Sequence, residues 1–341
     1  MGVTLKDIAE KSGFSITTVS RALGGFDDVN EDTRKLITQI ANEMGYQPNL
    51  IARQLRDKRT HTIGIITPMS AESADDDFFN ILIKGIAHAA SEYHYDLLIS
   101  AQLPSADEMD AYRRIAGGNR VDGIIVARTY RDDPRIQYLK SIDHPFVVSG
   151  RAEPEQASDF PYIDVDSQAG ICMLVEHFID YGHRHIGLIL PPEHIAFTGF
   201  RYNGYREGLE TAGIPLRPEY IRQGDLRRDS GYNAANSLLT ENPEITAIVV
   251  CNDLMALGAM GAIRQQNKRI GLDIALGGFD DIPAARHTSP SLTTIHQPIF
   301  EIGERLTRLL LKIIMQDNPQ NIGQILPCKL MIRDSSGTRK T

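Results

Sequence analysis

The sequence predicts an all-α amino-terminal unit, followed by an α/β core of two doubly wound subdomains with parallel sheets. Three observations support this fold class. The first 45 residues contain short capped segments whose apolar residues recur three and four apart, which is helical spacing. From Thr62 onward, short and continuously apolar segments alternate with amphipathic ones, as in parallel strands joined by helices. The alternation restarts near Tyr162, which indicates a second subdomain of the same kind.

Two short helices with a tight bend between them are predicted over Val3–Leu23. Thr4 can cap the first helix, and Gly13 can end it because glycine enters the left-handed region without steric cost. Ser15 can then cap the second helix. This is the pattern of a helix-turn-helix, with an ordinary helical hairpin as the alternative.

The outward face of the second helix suits a groove of DNA. Arg21 can bond a guanine edge, Thr17 a base or a phosphate, and Ile16 can contact a thymine methyl group. The apolar residues Val19 and Leu23 are expected to face inward. The second helix is therefore the predicted recognition helix.

A third helix is expected to begin after Asn30 and to end at Gly45. Its apolar residues are expected to form a core stripe of Leu36, Ile37, Ile40, Ala41 and Met44. In the next segment, Pro48 suits the first turn of another helix. A helix this short is unstable alone in water, so residues 49–57 are expected to be helical only against a dimer mate and DNA.

These motifs resemble the amino-terminal region of the lac/galactose repressor (LacI/GalR) family of bacterial transcription regulators. The resemblance is carried by TLKDIAEKSGFSITTVSRAL, by the third helix, and by YQPNLIARQL at the position of the family's hinge. It implies a DNA-binding headpiece over residues 1–47 and a hinge helix with its linker over residues 48–60. It also implies that Leu55 is a wedge in a central base step, an apolar linker residue being the alternative. The residues expected to face DNA are Thr4, Ser15, Ile16, Thr17, Thr18, Ser20, Arg21, Asn30, Tyr46, Asn49, Ala52, Arg53, Leu55, Arg56 and Lys58.

The charge distribution favours contact with DNA at one end of the molecule. The chain of 341 residues has a formal net charge of −8, yet residues 1–60 carry nine basic and eight acidic side chains. Within Arg53–Arg59, four residues are basic and one is acidic. A focal positive segment on an acidic body suits a protein that grips DNA locally, although a charged solvated linker would look the same.

The core is expected to span residues 61–341, with one subdomain over 61–160 plus 292–320 and the other over 161–291 plus 321–335. The predicted strands are Thr62–Thr67, Asp96–Ala101, Asp122–Ala127, Pro145–Ser149, Tyr162–Asp166, His185–Leu190, Tyr220–Gly224, Thr246–Cys251 and Ile274–Gly278. The predicted helices are Phe79–Tyr93, Asp107–Gly117, Pro134–Ile142, Gln168–Tyr181, Gly199–Ala212, Ser230–Thr240 and Leu254–Gln266. The late segments Leu292–His296 and Gln297–Met315 are expected to return to the first subdomain.

The core resembles the periplasmic sugar-binding-protein fold that the same family joins to its headpiece. The resemblance is carried by VDGII at 121–125, GHRHIGLI at 182–189, CNDLMALGA at 251–259 and GFDDIP at 278–283, among other motifs. It implies that a small-molecule effector binds between the subdomains, beyond the carboxyl ends of the strands. The residues expected to contact the effector are Phe78, Phe79, Thr129, Arg151, Arg201, Asn252, Asp280 and Gln297.

The chemistry of this set suits a mono- or disaccharide or a derivative. An arginine supplies a rigid donor fork, an aspartate accepts bonds from vicinal hydroxyls, and an asparagine does both. Phe79 can lie against a pyranose ring, or it can belong to the core.

Several of these residues have a second interpretation. Asn252 and Asp253 can cap the following helix, and capping is the favoured role of Asp253. Arg151 can contact the ligand or pair with an acidic neighbour, since Gly150 stands where family members carry an aspartate. These departures leave the identity of the effector open.

The sequence contains no recognisable pattern for catalysis or for a metal centre. His183 and His185 lack a spaced third ligand, so their segment is predicted to be a turn. Asp280 and Asp281 could in principle hydrolyse a glycoside, but no partner base or nucleophile stands near them in sequence. A glycoside-processing enzyme is therefore the weaker alternative. A free sugar carrier would need a signal peptide and would leave residues 1–60 unexplained.

Taken together with these patterns, the family resemblance implies a homodimeric transcription regulator, a repressor of carbohydrate-utilisation genes that binds a palindromic operator and responds to a sugar-like effector. A nucleobase, a nucleoside or a protein co-effector is the alternative. We expect no enzymatic activity, no cofactor and no metal.

No apolar run approaches the ~18 residues of a membrane span. The isolated cysteines Cys172, Cys251 and Cys328 suit a reducing cytoplasm.

Overall fold

The structure is a computed structural model that describes residues 3–46, 59–68, 77–102, 108–153, 158–316 and 323–337. The chain divides into two compact units, residues 1–59 and residues 60–341. The predicted hinge helix over residues 49–57 lies outside the described residues.

The described part of the first unit is built from three helices, α1 (Leu5–Ser12), α2 (Ile16–Leu23) and α3 (Glu31–Glu43). The Thr4 hydroxyl accepts the backbone N–H of Asp7, and the Asp7 carboxylate accepts the backbone N–H of Thr4 at 2.8 Å. Gly13 then ends α1 with a φ of +76°. The Ser15 hydroxyl accepts the backbone N–H of Thr18 at 3.1 Å and so caps α2. These local signals confirm the predicted caps.

The core of this unit is small and forms where the three helices meet. Ile8, Val19 and Ile37 are completely buried there. The prediction for Leu36 is wrong, because its side chain is 46% exposed. Leu36 lies about 100° around the helix from Ile37, outside the buried stripe that Ile37 and Ala41 define.

The second unit contains two six-stranded sheets within the described residues. The strands are β1 (Thr62–Pro68), β2 (Asp96–Gln102), β3 (Gly123–Ala127), β4 (Phe146–Ser149), β5 (Tyr162–Val165), β6 (Ile186–Leu190), β7 (Ile221–Gln223), β8 (Ala247–Val250), β9 (Ala275–Asp280), β10 (Thr293–His296), β11 (Gly323–Leu326) and β12 (Lys329–Met331). The helices are α4 (Asp77–Glu92), α5 (Glu108–Ile115), α6 (Pro134–Ser141), α7 (Ser167–Asp180), α8 (Phe197–Thr211), α9 (Arg228–Glu241), α10 (Asp253–Gln265), α11 (Pro283–His287) and α12 (Ile299–Ile314). Short 3₁₀ turns span Pro218–Tyr220 and Asp334–Ser336.

The sheets are parallel except at one edge. The first has the strand order β11-β5-β4-β3-β1-β2 and the second β12-β10-β9-β8-β6-β7, with only β10 and β12 antiparallel among the described pairs. All residues of β6, β8 and β9 are buried. Strands apolar on both faces require cover on both sides, so the doubly wound prediction is confirmed.

The assignment of three strands to subdomains is wrong. Thr293–His296 was expected in the first subdomain and lies in the second sheet. Tyr162–Val165 and Gly323–Leu326 were expected in the second subdomain and lie in the first sheet. A local pattern carries no information about which sheet a segment joins. The prediction that the segment around α12 returns to the first subdomain is correct, because α12 packs against α4.

The chain therefore crosses between the two sheets three times, after β5, after β10 and after β11. Three neighbouring connections form a hinge arrangement, which suits opening and closing around a small ligand. Among the described helices, none combines the length and the apolar character needed to span a bilayer.

The tight crossing of α4 and α12 yields a test of the packing. A Cβ atom placed on Gly85 would lie 2.1 Å from the carbonyl oxygen of Phe300, a backbone atom that cannot move aside alone. We expect Gly85→Ala to lower the free energy of unfolding by about 1–3 kcal/mol, measured by denaturant unfolding. Gly261→Ala is the matched control, since its Cβ would meet only the Tyr232 side chain at 3.3 Å. Equal stability of the two variants would contradict the close approach.

Candidate functional sites

The outward face of α2 presents the side chains that the sequence predicts for DNA contact. Ile16 is 49% exposed, and Thr17 and Arg21 are also exposed. Thr18 and Ser20 are half-buried beside them, whereas Val19 is buried in the core. The structure therefore brings the recognition residues of α2 onto one accessible face.

The remaining described residues of the predicted DNA set lie at the ends of helices. Thr4, Ser15 and Asn30 are exposed caps, and Tyr46 is half-buried beside the small core. The other predicted members lie outside the described residues: Asn49, Ala52, Arg53, Leu55, Arg56 and Lys58.

Arg21 makes contacts that the sequence does not predict. Its Nε donates to Asp28 Oδ1 at 3.1 Å, and its Nη2 lies 2.5 Å from Asp28 Oδ2. The guanidinium carbon lies 4.9 Å from the centre of the Phe26 ring. The seven-residue separation of Arg21 and Asp28 spans a loop, and neither helical nor strand spacing signals such a pair.

A cavity of about 570 Å³ lies between the two sheets of the core. Residues at or just beyond the carboxyl ends of strands line it from both subdomains, among them Thr67, Ser149 and Asp164 on one side and Asn252 and Asp280 on the other. Open parallel sheets bind ligands at this position, and the volume is typical of a small-molecule site. Of the eight predicted effector contacts, six line this cavity: Phe78, Phe79, Arg201, Asn252, Asp280 and Gln297.

Arg201 is held rigidly at the cavity wall. Its side chain is only 5% exposed, and its guanidinium carbon lies 4.3 Å from the Phe197 ring centre and 4.0 Å from that of Phe279. Its Nη1 donates to the backbone carbonyl of Cys251. Its buried Nε has no hydrogen-bond partner among the described residues. Unpaired buried donors are rare and call for an explanation, and Arg201 lines the cavity, so its Nε–H is a candidate donor to a ligand.

Asp280 and Gln297 form a second fixed polar group. Gln297 Nε2 donates to Asp280 Oδ1 at 2.5 Å, and both residues are buried. Asp280 has a φ of +123°, a conformation that costs a non-glycine residue on the order of 1–3 kcal/mol. Strain of this kind persists only where the surroundings impose it, and it clusters at functional sites.

The adjacent Asp281 also has a positive φ, of +58°, and its side chain is held by several partners. Its buried carboxylate accepts bonds from Arg333 and from Arg286, and His296 Nδ1 lies 3.1 Å away. Burial alone would raise the pKa of Asp281, but the hydrogen bonds from Arg333 and Arg286 outweigh it and lower the pKa. The ionised side chain ties the end of β9 to the segment after β12.

The two residues that begin α10 have different roles from those expected. Asn252 is the cap, because its Oδ1 accepts the backbone N–H of Met255 at 3.1 Å. The favoured capping role of Asp253 is wrong. Its carboxylate accepts the backbone N–H of Ile282 at 2.9 Å and the hydroxyl of Thr294 at 2.6 Å. The cap lies one residue earlier because Asn252 has extended backbone angles and Asp253 is already helical. Burial and the nearby Asp280 raise the pKa of Asp253 well above its usual range.

Two predicted effector contacts are not brought to the cavity wall. Thr129 is buried, and its hydroxyl donates to the Ser149 carbonyl at 3.3 Å. Arg151 takes the alternative role considered for it: its Nε lies 3.1 Å from Asp164 Oδ2, and its guanidinium lies over the Phe200 ring at 4.0 Å. Both side chains already have protein partners and lie outside the lining.

The cavity also contains polar residues that the sequence analysis did not identify. Arg135 is buried against the Tyr130 ring and makes two bonds to Asp133, at 2.9 and 2.7 Å. Its Nη1 reaches Glu108 at 3.1 Å. Glu108 lies 27 positions earlier in the chain, so only the fold reveals this network.

The two histidines of the predicted turn bind separate partners. His183 Nδ1 lies 2.9 Å from the Thr246 hydroxyl, and His185 Nδ1 lies 2.8 Å from the Tyr220 hydroxyl. Within the described ranges, no group of three His, Cys, Asp or Glu side chains has the geometry of a metal site.

Comparison with known proteins agrees with both units. Residues 4–49 match the family described as bacterial regulatory proteins, lacI family, and residues 175–336 match the periplasmic binding protein-like domain. The chain is 32% identical to the HTH-type transcriptional regulator AglR of Rhizobium meliloti (strain 1021), over 99% of this chain and 95% of that protein.

Two solved structures have the same architecture over nearly the whole chain. The complex of the transcriptional regulator CelR with cellobiose has a TM-score of 0.76 and 30% identity, covering 98% of this chain and 99% of that one. The lac repressor dimer bound to operator and the anti-inducer ONPF has a TM-score of 0.86 and 28% identity, covering 99% and 100%. The chain belongs to the LacI family of bacterial transcription regulators, and it is a DNA-binding regulator.

Asp164 provides a test of the electrostatics in the cavity. Burial raises its pKa to about 6, with Arg151 opposing the shift. The wild type should therefore lose stability as the pH rises from about 4 to 6, because the unfolded state ionises this carboxyl in that range while the folded state still keeps it protonated. Relative to the wild type, Asp164→Asn should gain on the order of 2–3 kcal/mol over this window, measured by denaturant unfolding at each pH.

The control is Asp273→Asn, whose stability relative to the wild type should change with pH in the opposite direction. A hydrogen bond from Arg269 lowers the pKa of Asp273 to about 2, so its contribution is present above about pH 4 and lost as the pH falls. A stability difference for Asp164→Asn that does not change with pH would show that Asp164 has an ordinary pKa.

Proposed function

We propose that this protein is a homodimeric repressor of carbohydrate-utilisation genes, whose operator affinity is controlled by a sugar bound in the core cavity. Each protomer inserts α2 into the major groove of one half of a palindromic operator. The hinge segments of the two protomers meet at the centre of that operator. The protein acts in the bacterial cytoplasm and binds its effector without turning it over.

The observation that carries the effector proposal is the fixed polar wall of the cavity. Arg201 offers an unused buried donor, and Asp280 offers a carboxylate that Gln297 holds in place. Opposite them, Phe78 and Phe79 present aromatic side chains to the same space. Donors, acceptors and an aromatic face together match the hydroxyls and the apolar face of a pyranose ring. A volume of about 570 Å³ is in the range for drug-sized ligands and accommodates a disaccharide. The cellobiose complex of CelR supports this ligand class.

Coupling to DNA follows from the way the core is connected. The three crossings let a ligand draw the subdomains together, and Asp122 anchors the first residues of the core. Its carboxylate accepts the backbone N–H of Thr60 at 2.6 Å and that of His61 at 2.9 Å. Movement of the first sheet is thereby transmitted to the start of the linker. Because the coupling is a free energy shared by two sites, operator DNA must change effector affinity by the same factor.

The DNA-binding proposal is tested by selecting duplexes from a random pool with the full-length protein. We expect an enriched palindrome and strong salt dependence of binding. Arg21→Ala should cost about 1–3 kcal/mol of discrimination at one base pair in each half-site, because a bidentate bond to guanine is lost. An unchanged base preference would exclude Arg21 as a base reader.

The effector proposal is tested by thermal shift with mono- and disaccharides, their phosphates and nucleosides. A ligand at 100 times its Kd should stabilise the protein by about 2.7 kcal/mol. Arg201→Ala and Asp280→Asn should each weaken the best ligand roughly 10- to 100-fold, since each loses a charge-assisted bond. Arg206→Ala, on the exposed part of α8, is the matched control and should bind normally.

Three results would count against the effector proposal. Selective stabilisation by nucleosides would replace the sugar with a nucleoside effector. Normal sugar binding by both cavity variants would place the sugar elsewhere. Release of product from chromogenic glycosides would contradict the binding role itself.

A further inference from the structure

The most informative unassigned feature lies on the face of α2. We propose that Asp28 is a positioning residue, which orients the guanidinium of Arg21 for reading a guanine and so sets the base preference of the headpiece. The proposal rests on the proposed role of Arg21 as a base reader.

The geometry of the ion pair leaves one edge of Arg21 available. A guanidinium has five N–H donors in a planar fork. Asp28 engages Nε through Oδ1 at 3.1 Å and Nη2 through Oδ2 at 2.5 Å, which is the side edge of the fork. The remaining hydrogens on Nη1 and Nη2 form the end edge, and this edge matches the O6 and N7 acceptors of guanine. Asp28 thus selects which edge faces the groove.

The loop that carries Asp28 is itself anchored. Arg34 on α3 donates to the carbonyl of Phe26 at 2.8 Å and to that of Val29 at 3.5 Å. The backbone on both sides of Asp28 is therefore bonded to α3. The Phe26 ring lies next to the Arg21 guanidinium, with the guanidinium carbon 4.9 Å from the ring centre. Arg21 is therefore restrained by a carboxylate and by an aromatic ring on one anchored loop.

The pair is better explained by orientation than by stability. Both side chains are about half exposed, and exposed ion pairs contribute little to folding. An unrestrained arginine, however, loses several rotamers when it docks on a base, and pre-orientation removes part of that cost. A carboxylate beside DNA also repels phosphates. Asp28 should therefore lower non-specific affinity while it raises discrimination.

The test uses the full-length protein with Asp28→Ala, Arg21→Ala, the double variant and Asp27→Ala. Asp27 is a neighbouring exposed aspartate, so its variant removes the same charge from the same loop. Binding is measured by fluorescence anisotropy at fixed salt, on the selected operator and on duplexes that each differ from it at one base pair. Thermal unfolding establishes that every variant is folded.

We expect Asp28→Ala to lower discrimination at least about threefold at the base pair that Arg21→Ala identifies, and to leave the other positions unchanged. Its affinity for non-specific duplex should rise. In the Arg21→Ala background the substitution should have no further effect at that base pair, and Asp27→Ala should retain full discrimination.

Other results would overturn the proposal in distinguishable ways. If Asp28→Ala weakens all duplexes by one factor, Asp28 serves only the structure of the loop. If Asp28→Ala discriminates better than the wild type, the ion pair with Asp28 competes with DNA for Arg21 instead of orienting it. If Arg21→Ala leaves every base preference intact, the base-reading role of Arg21 fails, and the proposal for Asp28 falls with it.

Discussion

The central constraint on the core is that the central parallel strands of its sheets are buried on both faces. Polar side chains can then emerge only where strands end, and parallel strands all end on the same side of their sheet. The two sheets place these ends around one cavity, lined by Asn252 and Asp280 from one sheet and by Ser149 and Asp164 from the other. The position of the ligand site thus follows from how the strands exclude water.

Buried polar groups in such a cavity need partners, and the partners make the site rigid. Gln297 fixes Asp280, the Cys251 carbonyl and two phenylalanine rings fix Arg201, and Arg333 and Arg286 fix the adjacent Asp281. The strained backbone at Asp280 lies within this network of fixed side chains, the setting in which such strain persists. Ligand binding to a pre-ordered site costs less side-chain entropy, so a larger part of the binding free energy can stabilise the closed arrangement of the subdomains.

The structure of the amino-terminal unit depends on local signals more than on long-range packing. Its core is a handful of side chains where three short helices meet, so local signals determine much of its structure. The reciprocal cap of Thr4 and Asp7 and the left-handed Gly13 can be predicted from sequence because each depends on neighbours within a few residues. The contact between Arg21 and Asp28 cannot be predicted in this way, since it depends on how the loop before α3 folds back.

The fold class, the helices, most strands and six of the eight expected effector residues at the cavity wall could be predicted from the sequence, because periodicity and family motifs are local properties. The sheet that β5, β10 and β11 each join could not be predicted, since these strands pair with residues far away in the chain. Thr129 and Arg151 lie away from the cavity wall because the fold brings them to Ser149 and Asp164. The cap at Asn252 and the exposed Leu36 follow from local helix geometry. The placements of Thr129 and Arg151 could not be predicted, because a local pattern contains no record of partners that lie on other segments of the chain.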